Sequence, residues 1–100
     1  MAKSPKECKN LEELRLEIDS LDKEIIRLIA LRKEYAHEVV RYKEKTVEAI
    51  VAQERYDGVI ARRKSLAAEQ GLDPEVIEKV YRTIMNYFID EELKIANLKK

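Results

Sequence analysis

The sequence predicts an all-helical fold of three helices, one long, one short and one medium, with no sheet. Three observations carry that expectation. Only two glycines and two prolines punctuate 100 residues. Charged residues make up 40% and hydrophobic ones 45%, a mixture that suits long charged helices and neither turn-rich β-proteins nor disordered chains. Apolar residues also recur every 3.5 positions from Leu11 to about Lys45 with no helix breaker between them. The length corresponds to one domain over residues 1–100. A domain of this size buries roughly two-thirds of its unfolded surface, a thin margin that a partner chain can widen.

The long helix opens at Asn10, which with Glu13 has the spacing of a capping box. One set of positions seven apart reads Leu11, Ile18, Ile25, Arg32, Val39, and the interleaved set reads Leu14, Leu21, Leu28, Tyr35, Tyr42. Continued to Lys45 at 1.5 Å per residue, this helix would be about 50 Å long. A compact globule of this chain length is only roughly 35 Å across, so a second chain is expected to cover the apolar stripe. Thr46 to Ala52 loses the stripe and is β-branched, which reads as a loop or frayed connection. The short helix runs from about Gln53 to Gln70, with Tyr56, Val59, Ile60, Arg63 and Leu66 inward and Gly71 as its left-handed stop. Asp73-Pro74-Glu75 gives the last helix an N-cap, a first-turn proline and an acidic residue at its positive end. Val76, Ile77, Val80, Tyr81, Ile84, Met85, Phe88, Ile89 and Leu93 form its apolar face, and Asn97 to Lys100 is expected to fray.

Composition excludes several function classes. Lys+Arg and Asp+Glu are 20 each, so no charge excess recommends nucleic acid or an anionic membrane. No stretch approaches the ~20 apolar residues of a membrane span, and Met1 to Lys9 lacks the apolar core of a signal peptide. The single cysteine, Cys8, precludes an intrachain disulfide and a cysteine metal cluster. These features point to a cytoplasmic helical protein that needs no metal and no cofactor. His37 falls on the far side of the long helix from the seam and is expected to face solvent.

The informative residues break the pattern. Arg32 occupies a seam position where Ile or Leu is expected, so its guanidinium must meet either a structural carboxylate or an anionic ligand. Lys43 lies eleven residues on. In a continuous helix that spacing puts it ~20° around and ~16 Å along from Arg32, a gap that two long basic side chains could close on one small dianion. Arg15 flanks the seam seventeen residues before Arg32, so only an antiparallel copy of the helix could bring it alongside. Glu92 is an acidic residue on the inner side of the last helix, either paired with one of these cations or kept neutral by burial. Arg55 adds a cation at the start of the short helix, where anions are favoured. Each also has a plain structural reading: a buried ion pair for Arg32 and Glu92, solvated flanks for Arg15 and Lys43, a surface or capping role for Arg55. With no nucleophile–base pair and no nucleotide loop, a cationic dianion pocket suits a pericyclic rearrangement, which needs conformational restraint and charge stabilisation and no covalent help.

The chain resembles the all-helical chorismate mutase family over about residues 5–95, most closely its isochorismate-pyruvate lyase branch of salicylate biosynthesis. The matching residues are Pro5-Lys6-Glu7-Cys8, Leu11-Glu12-Glu13-Leu14-Arg15, Ile18-Asp19-Ser20-Leu21-Asp22, Arg32, Lys43, Glu54-Arg55 and Gly71-Leu72-Asp73. The resemblance implies an intertwined homodimer with antiparallel long helices and active sites shared between chains. It implies that Arg15 of the neighbouring chain and Arg32 bind substrate carboxylates, and that Lys43 holds a carboxylate and the ether oxygen. Arg55 would order a lid over the pocket, and Val39 and Ile89 would wall it. Glu92 stands where many members carry a glutamine that donates to the ether oxygen, so it must be protonated to replace it. Gln53 in place of an arginine and Phe88 in place of a serine, together with the short 46–52 connection, favour the lyase, while Glu92 leans towards the mutase. The expected activity is elimination of pyruvate from isochorismate to give salicylate, with side conversion of chorismate to prephenate. A dedicated chorismate mutase of aromatic amino-acid biosynthesis is the alternative within the family, and a non-catalytic helical dimerisation module the alternative outside it.

Overall fold

The computed structural model describes residues 3–98, and among them every regular element is helical. The order is a 3-10 turn at Pro5–Glu7, α1 at Leu11–Val39, a 3-10 turn at Val40–Tyr42, α2 at Val47–Val51, α3 at Gln53–Glu69 and α4 at Pro74–Ile95. The expected long, short and medium helices are thus α1, α3 and α4, at 29, 17 and 22 residues. The chain parts into two compact units between Glu34 and Tyr35.

In the first unit, the Asn10 side chain accepts from the Glu13 N–H at 2.8 Å and starts α1. The return bond of the capping box is displaced by one residue: Glu13 accepts from the Lys9 N–H at 2.6 Å. Glu13 also takes the Lys3 ammonium at 2.6 Å, and that bond, with the Lys9 amide, holds its carboxyl below the usual range. None of α1's residues is buried. Leu11, Ile18, Leu21, Ile25 and Leu28 are 48–61% exposed, so a single chain leaves the apolar seam uncovered.

The second unit carries the core. Val40, Ile50, Tyr56, Val59, Ile60, Met85, Ile89 and Leu93 form one buried cluster that joins the end of the first helical run to α2, α3 and α4. Two expectations fail here. The first helix ends at Val39 and tightens into a 3-10 turn, well before Lys45; the β-branched Val39–Val40 pair weakens it, and Val40 turns into the core. The 46–52 connection is a helical turn. Thr46 caps it by accepting from the Ala49 N–H at 3.1 Å, and burial of Ile50 at 1% exposure outweighs the poor helix propensity of its neighbours.

Downstream punctuation follows the sequence closely. Gly71 sits at φ 75°, with Leu72 N–H bonded to Ala67 O at 2.8 Å and Gly71 N–H to Ala68 O at 3.1 Å, a Schellman stop for α3. Asp73 accepts from the Glu75 N–H at 2.9 Å and Pro74 occupies the first turn of α4. Along α3 the inward residue near the end is Ala67, while Leu66 is half exposed; on α4, Val76 and Val80 are exposed. Arg63, half-buried, lays its guanidinium over the Tyr81 ring at 5.5 Å. Tyr56 donates to Asn86 at 2.9 Å, and Lys64 reaches Glu75 and Glu78 at 3.1 and 3.2 Å, which ties α3 to α4. The expected fraying at Asn97 does not occur. Asn97 takes a left-handed conformation, φ 59°, and Leu98 N–H closes on Leu93 O at 2.8 Å, a second Schellman stop. Lys99 and Lys100 lie outside the described residues.

Candidate active site

Glu92 is the one buried charged residue among the described residues, at 5% exposure. It projects from the inner stripe of α4, four residues after Phe88 and next to Leu93, both buried. Such a carboxyl needs a partner or a proton. Lys43 is one partner: its Nζ lies 3.6 Å from Glu92 Oε1, a pairing the sequence allowed.

Lys43 reaches that position from an extended backbone, φ −104° and ψ 150°, after the 3-10 turn. The expectation that helical register would align it with Arg32 is therefore corrected: Lys43 has left the helix, and side-chain bonds fix its head. Its Nζ donates to the Ile50 carbonyl at 2.9 Å, and its own N–H donates to Val40 O at 3.2 Å. Lys45 Nζ donates to Val40 O at 2.7 Å, which satisfies a carbonyl at the end of the first helical run. No side-chain pattern could have disclosed the Ile50 carbonyl, because it is a backbone atom.

Ile89 is buried in the core cluster one turn before Glu92, and Val39, the last residue of α1, is 46% exposed. Arg55 is exposed on the first turn of α3, where Ala52, Gln53, Glu54 and Arg55 line a shallow open cleft. Lys43, Glu92, Val39, Ile89 and Arg55 all belong to the second unit. Arg15 and Arg32 are carried by α1 in the first, Arg15 exposed and Arg32 half-buried. His37 departs from its expected solvent-facing position: it is half-buried, and its Nε2 is buried with no hydrogen-bond partner.

An ammonium beside a buried carboxyl at the edge of an apolar core can bind an anion and, when the carboxyl holds a proton, donate to a neutral oxygen next to it. The chemistry of such a pair is electrostatic and hydrogen-bonding.

The family model described as chorismate mutase type II matches residues 14–93. A Pseudomonas aeruginosa protein named isochorismate pyruvate lyase is 32% identical over 92 residues, covering 92% of this chain and 90% of its own length. A Haemophilus influenzae T-protein is 39% identical over 75 residues, and an Enterobacter agglomerans T-protein 37% over 75; each match spans 75% of this chain and 20% of the T-protein.

Proposed function

The chain belongs to the chorismate mutase type II family, and from that premise we propose that it eliminates pyruvate from isochorismate to give salicylate. The observation that carries the reading is the Lys43 ammonium 3.6 Å from the buried Glu92 carboxyl, a cation beside a carboxyl that can donate once it holds a proton. Similarity over 90% of the length of a protein named isochorismate pyruvate lyase favours the lyase over the mutase. Gln53 and Phe88, which stand in place of an arginine and a serine of the mutase pattern, favour the same choice.

The reaction is intramolecular: a ring hydrogen passes to the enolpyruvyl methylene as the ether C–O bond breaks, leaving an aromatic ring and pyruvate. The protein's part is to hold the dianion folded and to receive charge on the ether oxygen. Lys43 binds a carboxylate and the ether oxygen, with Arg32 and the Arg15 of a second copy on the carboxylates, Arg55 ordering the cover, and Val39 and Ile89 as walls. The substrate's negative charge competes with Glu92 for Lys43, so Glu92 takes up a proton on binding and donates to the ether oxygen. Chorismate, with the same groups, is converted to prephenate as a side reaction.

The homodimer is part of this reading. The exposed seam Leu11, Ile18, Leu21, Ile25, Leu28 is covered by the antiparallel α1 of a second copy, and residues 1–100 act as one domain in the cytoplasm without metal or cofactor. No helix among the described residues is long and apolar enough to cross a membrane.

The test is incubation of the purified protein separately with isochorismate and with chorismate. Salicylate formation at a higher kcat/KM than prephenate formation is expected, with activity lost as pH rises through the ionisation of bound Glu92. Glu92→Gln keeps a donor at all pH values and flattens that alkaline limb. A higher kcat/KM on chorismate assigns the dedicated mutase, and no turnover of either substrate refutes the catalytic reading in favour of a helical dimerisation module.

A further inference from the structure

Ala52 separates α2 from α3 and is the sole residue between them. Its backbone is left-handed, φ 47° and ψ 61°, a conformation that costs a residue bearing a Cβ roughly 1–2 kcal/mol. Asn97, the other left-handed residue that is not glycine, has a residue type suited to that region. Ala52 has no such excuse, so its strain calls for a compensating gain.

The gain lies two residues upstream. In an uninterrupted helix the Ile50 carbonyl would accept from the Glu54 N–H. The turn at Ala52 prevents this. Ala52 N–H closes α2 on Glu48 O at 2.9 Å, and Tyr56 N–H restarts α3 on Ala52 O at 2.9 Å. The skipped carbonyl of Ile50 is left to the Lys43 ammonium at 2.9 Å, on the side where Glu92 stands 3.6 Å from the same nitrogen. The carbonyl is itself immobile, because the Ile50 side chain is 1% exposed and locked in the core with Val59, Ile60, Ile89 and Leu93. One residue therefore anchors α2 by its side chain and aims a lysine by its backbone.

We infer that the left-handed turn at Ala52 is a positioning device for the reaction, freeing the Ile50 carbonyl to hold the Lys43 ammonium beside Glu92 before substrate arrives. Lysine loses much rotamer freedom when fixed, and a preset acceptor removes that loss from the climb of the bound complex to the transition state. The device rests on the assignment of Lys43 to the substrate, but the hold on the lysine can be read without turnover.

The experiment compares Ala52→Gly, which accepts the left-handed region, with Ala52→Val, whose branched Cβ does not. Two readouts are taken, the 15Nζ–H signal of Lys43 by NMR and steady-state turnover of isochorismate. Ala52→Gly is expected to retain the Lys43 signal and kcat within twofold. Ala52→Val is expected to lose the Lys43 signal while those of Lys45 and Lys64 persist, and to lower kcat about tenfold (~1.4 kcal/mol). KM is expected to change less than kcat. Should Ala52→Val fail to fold, a semisynthetic chain with an ester between Ile50 and Val51 weakens the same acceptor without touching Ala52, and the same two losses are expected. A Lys43 signal that survives Ala52→Val or the ester overturns the device, as does a lost signal with unchanged kcat. Absence of turnover in the unaltered protein overturns the lyase assignment instead, and the NMR comparison still decides whether Ala52 holds Lys43.

Discussion

Replacing Lys43 by methionine tests how strongly the pair at the site is coupled. At an effective dielectric of about 20, unit charges 3.6 Å apart attract by roughly 4.6 kcal/mol before desolvation is counted. The Lys43 side chain is 23% exposed and that of Glu92 7%, so solvent screening and desolvation reduce the net coupling to about 2 kcal/mol. Without the ammonium, the buried Glu92 favours its proton in the folded state, while in the unfolded chain it ionises at about 4.3. The folded state then binds more protons than the unfolded one above that pH. Stability of Lys43→Met consequently falls as pH rises from about 4.3 through the folded-state ionisation of Glu92, and is level beyond it. The lost hydrogen bond to Ile50 O adds a cost of about 1 kcal/mol that does not vary with pH. Urea unfolding followed by circular dichroism should therefore give a deficit of about 3 kcal/mol at pH 8 and about 1 kcal/mol at pH 4, relative to the unaltered protein. A deficit of the same size at both pH values would show that Glu92 does not sense Lys43 and would refute the pairing as the organising feature of the site.

Other consequences can be checked on the same protein. Gly58 lies inside α3 with open space where a Cβ would stand, so Gly58→Ala should raise stability by about 0.8–1 kcal/mol. Gly71 also has open space but sits at φ 75°, so Gly71→Ala should lower stability by about 1–2 kcal/mol through the backbone alone. Thermal unfolding of the pair should move the midpoint in opposite directions, and two shifts of one sign would contradict the assignment of these helix positions. Glu78 is held below the usual carboxylate range by its bonds to Arg82 and then Lys64. Its contribution is present above the ordinary ionisation range and fades as pH falls through the lowered one, so Glu78→Gln should differ from the unaltered protein at pH 7 and converge with it as pH falls through that lowered range. A difference that does not shrink on acidification would mean that the residue acts through packing.

Much of the fold was legible because its stops are written in special residues. Gly71 and Asp73-Pro74 have few alternatives to the turn they form, and they ended α3 and began α4 where expected. The end of α1 carries no such mark. Val39 and Tyr42 continue the apolar spacing, and the β-branched Val39–Val40 pair with the burial of Val40 ends the helix there. The Val47–Val51 turn was illegible for a related reason: its residues favour extended backbone, and a single buried side chain, Ile50, reverses the preference. Tail order at Asn97 depends on Leu98 packing against the core, which polarity alone conceals.

The candidate site divides in the same way. A charge at an inward position singled out Glu92 and Lys43 one by one, since burial of an ion is costly wherever it occurs. That Lys43 meets Glu92 depends on where the chain leaves α1, and that was the feature the periodicity masked. His37 was misplaced because its position was judged against one seam of α1 alone, although Ala36 and His37 near the end of that helix are half-buried.

The proposed active site draws on two copies of the chain, and mixing inactive variants puts that sharing to the test. Arg15→Ala and Lys43→Ala proteins are prepared separately, unfolded, combined in equal amounts and refolded together. In a shared-site dimer half of the dimers are mixed and each mixed dimer restores one of its two sites, so about a quarter of the unaltered lyase activity should return. A mixture no more active than the mean of the two variants alone would contradict the claim.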